Sequence, residues 1–309
     1  MRLQFTTFTR EIPMLQPDQL LRFSFDQLDI RGEIVYLDES WRQILNRYEY
    51  PPSVRIQLGS ALAAIALLSV TLKFKGTMIL QVQGKGPMRS LVTQVTSEGA
   101  IRGLARWEGT VPEGSLQQIY GNGHILISVI PDAGERYQSI VELSGDTLST
   151  ALNNYFMQSE QLPSTFRLYV TDQRVAGFFL QALPANKHDN YSHEQREEDW
   201  QRLNLLADTL QQEEILSLAP DQLLFRLFHE EVVRVHPPRL LHFACSCSLE
   251  KVERTLISLG KHELDSIIRE EGSIKVDCEF CNQHYTFTTS DVERLCATTE
   301  VVVQGTVLH

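Results

Sequence analysis

The chain has 309 residues, 42% hydrophobic and 22% charged, and its 28 basic against 39 acidic side chains leave a net charge of −11. That length exceeds one small core and sets two domains as the expectation, while the composition is that of a soluble globular protein. The acidic balance repels polyphosphate, which counts against a nucleic-acid or anionic-membrane partner.

The opening "MRLQFTTFTREIPMLQ" lacks an apolar stretch after its first positive charge and carries Glu11 early, so it does not read as a secretory signal. From Asp18, "DQLLRFSFDQLDIRGEIVYLDESWRQILNRY" passes from an amphipathic start through the alternating strand "RGEIVYL" to a helix capped near Asp38 to Ser40. The uncharged run Ile56 to Leu72 is long enough to raise a membrane span. It is rich in Ala, Ser, Gly and Thr rather than Leu and Phe, so a buried core helix is expected. "GTMILQVQGKGPMRSLVTQVT" alternates on both sides of "GKGP", a hairpin signal. "GNGHILISVIPDAGERYQSIVELSG" repeats the device around "PDAGE". "GDTLSTALNNYFMQSEQLP" reads as a helix, and "STFRLYVTD" with "VAGFFLQALP" as a closing strand pair. The expectation is an α+β domain, a sheet with covering helices, over residues 17–184 behind an extension at 1–16.

After Pro184 the composition shifts. "ANKHDNYSHEQREEDWQ" is polar, and the following stretch places Leu203, Leu206 and Leu210, then Leu223, Leu224 and Leu227, at helical spacing with a break at Pro220. Between Lys187 and Arg234 there are five basic and eleven acidic residues. Residues 185–237 therefore read as an acidic helical linker, either a plain connector or a metastable segment able to open. "HPPR" at 236–239 marks the passage to a C-terminal domain, 238–309.

That last part holds all five cysteines of the chain. A secreted disulfide framework would spread its cysteines, so the reading is a reducing compartment, the cytoplasm. Cys245 and Cys247 form one close pair and Cys278 and Cys281 another, with thirty residues between the pairs. Two short loops offering two thiolates each suit the closed tetrahedral shell of a zinc ion. Such a shell leaves no position for a reactive water, which argues against metal catalysis and leaves a structural staple or a switch. Zinc-bound thiolates stay nucleophilic toward oxidants, and a bridge between cysteines one residue apart would be strained and easily reduced. His242, His262 and His284 read as ordinary surface or packing residues, because four sulfurs complete the shell. Cys296, in "ERLCATTEVVVQG", reads either as a small apolar residue of a C-terminal helix or as an extra reactive thiol.

No enzyme is expected. "GKGPMR" lacks the spacing and Ser/Thr of a phosphate loop, and "YGNGH" opens a strand rather than a helix. Two rivals remain: a thiol oxidoreductase built on "CEFC", and a zinc-ribbon regulator that binds nucleic acid. A redox C-x-x-C should open a helix, whereas "IKVDCEFCNQHYTFTT" reads as strand, knuckle, strand. Residues 239–309 carry seven basic and eleven acidic side chains, which gives no footprint for nucleic acid.

From about Asp18 onward the chain resembles the heat shock protein 33 family of redox-regulated holdase chaperones. The resemblance rests on "IRGEIVYL", "TLKFKG" with "LQVQGKGPM", "RGLARWEG", "YGNGHILISVIPDAGERYQSIVELSGDTLSTALNNYFMQSEQLPS", "LLFRLFHEE", and "CSC" followed by "CEFCNQHY". It implies zinc ligation by Cys245, Cys247, Cys278 and Cys281 in a reduced, inactive form. It further implies that oxidant with unfolding stress releases zinc and pairs Cys245 with Cys247 and Cys278 with Cys281. The cysteine domain then unfolds, the linker opens, and unfolded clients are held without ATP, with a homodimer as the active form. Residues 1–16 and Cys296 have no counterpart in the resemblance.

Overall fold

The computed structural model describes residues 18–184 and 192–304, with side chains through Cys296. The expected extension at 1–16, the polar stretch at 185–191 and the tail after Gln304 lie outside the described residues. The chain divides into two compact units. One runs to Phe243 but omits Asn46–Glu49, and these four residues cluster with the second, from Ala244 onward.

In the first unit, β1 (Gln19–Phe25) and β2 (Ile30–Leu37) form an antiparallel pair, followed by α1 (Glu39–Leu45) and α2 (Pro52–Leu68). The hairpin β3 (Gly76–Gly84) and β4 (Met88–Thr96) turns at the expected "GKGP", and β5 (Ala100–Trp107) continues it. After α3 (Leu116–Tyr120), β6 (Gly123–Pro131) and β7 (Tyr137–Glu142) pair across "PDAGE". Next come α4 (Leu148–Tyr155), a π-helical turn at Phe156–Glu160, and the pair β8 (Ser164–Val170) and β9 (Val175–Ala182). The helices α5 (His193–Asp208), α6 (Gln212–Ser217) and α7 (Pro220–Phe228) lead to three short strands, β10 (Val233–Val235), β11 (Arg239–Leu240) and β12 (His242–Phe243).

The strands make two six-stranded sheets rather than the one expected: β10-β1-β2-β9-β8 with β11 also on β1, and β12-β5-β4-β3-β6-β7. The helix expected over the uncharged run is α2, which packs on strands of both sheets. Its residues from Ala61 to Leu67 are all fully buried, so it is apolar all round, as a helix between two layers must be. Small residues allow the close fit. A Cβ on Gly177 would meet Leu67 at 2.9 Å, and one on Gly103 would meet Leu58 at 3.0 Å, so each sheet offers the helix a glycine where it approaches. Among the described residues no helix is long and apolar enough to cross a membrane.

The other face of the first sheet is covered by α5–α7. Alternation in β1 directs Leu21, Phe23 and Phe25 to this face, where Ile34 and Phe178 join them. The leucines read at helical spacing meet them: Leu203, Leu210, Leu223, Leu224 and Leu227 are buried in the same cluster as Phe228, and Leu206 packs at its margin. Pro220, read as a break, is the first residue of α7, where its missing amide costs nothing. Polar ties flank the apolar contact. Arg196 pairs with Asp29 and Arg167 with Asp208. Arg174 holds both oxygens of Asp38 at 2.6 and 2.7 Å and donates to the Leu216 carbonyl at 2.7 Å, fastening the end of α6 to the sheet.

The opposite face of the same sheet holds a misfit. Glu33 is 1% exposed, its Oε2 has no hydrogen-bond partner among the described residues, and Arg31 Nε lies 3.8 Å from Oε1. Loss of hydration outweighs the nearby Arg31 and Arg22 charges, and the carboxyl is pushed up to about 7. The folded state thus holds this proton more tightly than the unfolded chain. Stability therefore falls as pH rises between about 4.5 and 7, by up to about 3 kcal/mol. Glu33→Gln is expected to stabilise the protein by up to that amount at pH 8 and to change little at pH 4.5. Denaturant titrations at the two pH values check this, and an equal effect at both would contradict it.

The second unit contains α8 (Leu249–Leu259), α9 (Lys261–Glu271), the hairpin β13 (Ile274–Asp277) and β14 (His284–Phe287), and α10 (Thr289–Gln304). Its apolar core is small: Leu256, Leu264, Ile274, Phe287, Val292 and Leu295.

Candidate metal centre

Two pieces of backbone bring the four thiols together. Cys245 and Cys247 lie on the extended segment before α8, which is anchored by the Ser248 cap on the Lys251 amide and by Lys251 Nζ on the Ser246 carbonyl at 2.6 Å. Cys278 and Cys281 lie in the turn between β13 and β14. There the amides of Cys281 and Asn282 both bond to the Cys278 carbonyl, at 3.3 and 2.7 Å, and Cys278 N bonds to the Gln283 carbonyl at 2.9 Å. Asn282, at φ +60°, takes the left-handed conformation that closes the turn, which asparagine tolerates better than most residues. The C-x-x-C thus stands between two strands, not at a helix start, which removes the structural basis for a thioredoxin-like oxidoreductase.

The four sulfurs lie within 4.8 Å of one another, and two approaches run between the pairs: Cys245 to Cys278 at 3.6 Å and Cys247 to Cys281 at 3.4 Å. These are far longer than the roughly 2.05 Å of a disulfide. They match the edge of a tetrahedron with metal–sulfur bonds of about 2.3 Å, which is about 3.8 Å. None of the five cysteines is joined in a disulfide. The donor set therefore fits a thiophilic metal, and all four positions of a closed shell are provided.

Donors surround the sulfurs. At Cys245 burial pushes the thiol up, but bonds from the Cys247 amide and from the neighbouring thiols bring it down to about 7. At Cys281 burial dominates and pushes the thiol up to about 12, against the Gln283 amide. Burial also raises Cys278, opposed by the amides of Cys281 and Phe280. The Tyr285 hydroxyl donates to Cys247 Sγ at 3.3 Å, and that bond, followed by burial, raises the phenol to about 12. Such hydrogen bonds orient a ligand set and disperse its negative charge.

None of the three histidines joins the cluster. His284 Nδ1 bonds Asp277 Oδ1 at 2.6 Å on an exposed edge, His262 is exposed on α9, and His242 is exposed on β12 in the first unit. Cys296, in the expected C-terminal helix, packs half-buried against the small core and lies outside the metal-ligating group. Sequence reasoning missed Tyr285, although strand alternation offered a signal, since it points to the same side as buried Phe287 two residues on. It also missed Asn46–Glu49, where the Arg47 carbonyl accepts from Asn282 Nδ2 at 3.4 Å and burial, then the charge of Glu279 and the thiols, raises the Tyr48 phenol.

The same architecture recurs in known proteins. The profile of the family described as Hsp33 protein matches residues 18–288. The 33 kDa chaperonin of Nitrosococcus oceani is 48% identical over 278 residues, covering 90% of this chain and 94% of its own. That of Pseudomonas aeruginosa is 44% identical over 287 residues, covering 92% and 96%. The crystal structure of the 33 kDa chaperonin from Thermotoga maritima superposes with a TM-score of 0.79 at 25% identity, covering 92% of this chain and 99% of that one. With two sheets around α2, the four-sulfur cluster and a profile match over most of its length, the chain belongs to the Hsp33 family.

Proposed function

We propose that the protein is a redox-regulated, ATP-independent holdase whose four-cysteine centre binds one zinc ion in the reduced state. The observation that carries this reading is the closed four-sulfur shell in a unit that, among the described residues, buries six apolar side chains. Bound zinc would crosslink Cys245, Cys247, Cys278 and Cys281 and contribute most of the folding free energy of the unit. Membership of a family of chaperones, not of enzymes, supports the rest.

In the mechanism, peroxide takes electrons from the thiolates and the ligands are lost. We assign the product to the near-neighbour bridges, Cys245–Cys247 and Cys278–Cys281, because partners in one short loop meet most often once the shell is broken. Cys296, in a helix, stays reduced. The second unit then has too little core to remain folded. Opening of α5–α7, the acidic linker, uncovers the aromatic face of β1, β2 and β9 for unfolded clients. Reduction restores the thiolates and reverses the switch. "GKGP" is a β-hairpin turn, so a nucleotide cycle has no phosphate loop there to run on. Thiols clustered in one part of the chain suit a reducing compartment such as the cytoplasm, the net charge of −11 disfavours nucleic-acid and membrane partners, and the activated form is assigned as a homodimer.

Light scattering of a denaturant-unfolded client tests the proposal, with reduced and peroxide-treated protein side by side, each with and without ATP. The oxidised protein is expected to suppress aggregation regardless of ATP and the reduced protein to do so poorly. Equal protection by the reduced form would make the cysteine centre a structural staple.

A further inference from the structure

We propose that the Tyr285 hydroxyl is a positioning group that shields Cys247 from oxidants and so sets the threshold of the switch. This rests on the redox reading above and deepens it by naming what regulates the centre. Cys278 and Cys281 receive backbone amides of their own turn, and Cys245 the amide of Cys247. Those donors cannot leave without unfolding the loop. Cys247 takes a phenolic O–H, at 3.3 Å, from a residue more than thirty positions along the chain. The hydroxyl is held firmly. Tyr285 is paired with Val276 across the β-hairpin, and its ring packs against the cluster containing Leu256 and Phe287. One side chain therefore joins the apolar core to the thiol shell.

The chemistry follows from charge. In the first oxidation step the Cys247 sulfur attacks one peroxide oxygen, the O–O bond breaks, and hydroxide leaves, giving a sulfenic acid. A second thiolate then attacks that sulfur, a disulfide forms, and a second hydroxide departs. Two thiolates lose one electron each and one peroxide gains two. Negative charge leaves the sulfur in the first transition state, so a hydrogen bond that stabilises the thiolate slows the attack. If stress loosens the apolar core, the ring shifts, the bond breaks and the thiol becomes fast. The centre would thus respond to unfolding and oxidant together.

Tyr285→Phe keeps the ring and removes the donor. The full-length reduced variant is expected to retain stoichiometric zinc. Its Cys247 should react with peroxide roughly tenfold faster, as expected for losing part of one charge-assisted hydrogen bond. Timed quenching with an alkylating agent and peptide mass spectrometry reads each thiol separately. Acceleration confined to Cys247 at the start of the reaction supports the proposal. Unchanged rates, or equal acceleration of all four thiols as from general loosening, overturn it. Should the variant lose its metal, 3-fluorotyrosine at position 285 provides a stronger donor, and Cys247 should then slow. An unchanged or faster reaction would overturn the idea equally. None of these readings uses client protection, so failure of the holdase assay and failure of the shielding role are told apart.

Discussion

Removing the proposed zinc from the reduced protein is expected to unfold residues 244–296 while both six-stranded sheets persist. Among its described residues the second unit buries six apolar side chains, and domains of its size rarely obtain more than about 3–5 kcal/mol from a core. A structural zinc site contributes on the order of 10 kcal/mol, so the proposed zinc would decide whether the unit is folded. Amide exchange before and after a strong chelator reads this directly. Protection should collapse in α8, α9 and the β13–β14 hairpin and hold in β3, β4 and β6. The combined Cys278→Ser and Cys281→Ser variant should look like the chelated protein and bind no zinc. Persistent protection of α8 and α9 in either sample would show that the core suffices by itself.

The second large effect is expected from Phe228→Ala. Phe228 is 1% exposed and meets Phe25 edge-on at 5.2 Å, Phe23 at 6.1 Å and Phe178 at 6.4 Å. Truncating a buried aromatic to alanine costs about 3–5 kcal/mol, and here the void opens under α7, where the covering helices meet the sheet. Amides of α5–α7 already have reason to open before those of β3 and β6, because the segment is acidic and surface-bound. In the variant their opening free energy should drop by most of the lost stability. The reduced, metal-loaded variant should also gain some client protection, since the aromatic face is uncovered without oxidation. Equal exchange in α7 and the central strands of the variant would mean that the helices do not open separately.

Local patterns were legible in the sequence and remote pairings were not. "GKGP" and "PDAGE" each specify a turn whose strands are neighbours, and the β3–β4 and β6–β7 hairpins lie there. The run around Ala61 to Leu67 is apolar on every side and became the helix between the layers. The division into two sheets, by contrast, depends on β2 pairing with β9 and β3 with β6, contacts that no local pattern encodes. The short strands β10, β11 and β12 are too brief to show alternation. The cysteine spacing pointed to one shell, and the sulfurs gather within 4.8 Å. Tyr285 and Asn46–Glu49 escaped notice because hydrogen bonding to sulfur and the assembly of a distant loop leave no periodic trace.

The placement of β10 and β11 on β1 has a consequence for synthesis. Phe23 pairs with Val235 and Gln19 with Leu240, so β1 waits for partners roughly 200 residues later. At ribosomal speeds of about 5–20 residues per second that interval is on the order of 10–40 s. During it, Leu21, Phe23 and Phe25 have neither their outer strand nor their covering helices, and the nascent chain presents a sticky sheet margin. A protein proposed to hold unfolded chains is thus, while it is being translated, a chain in need of holding.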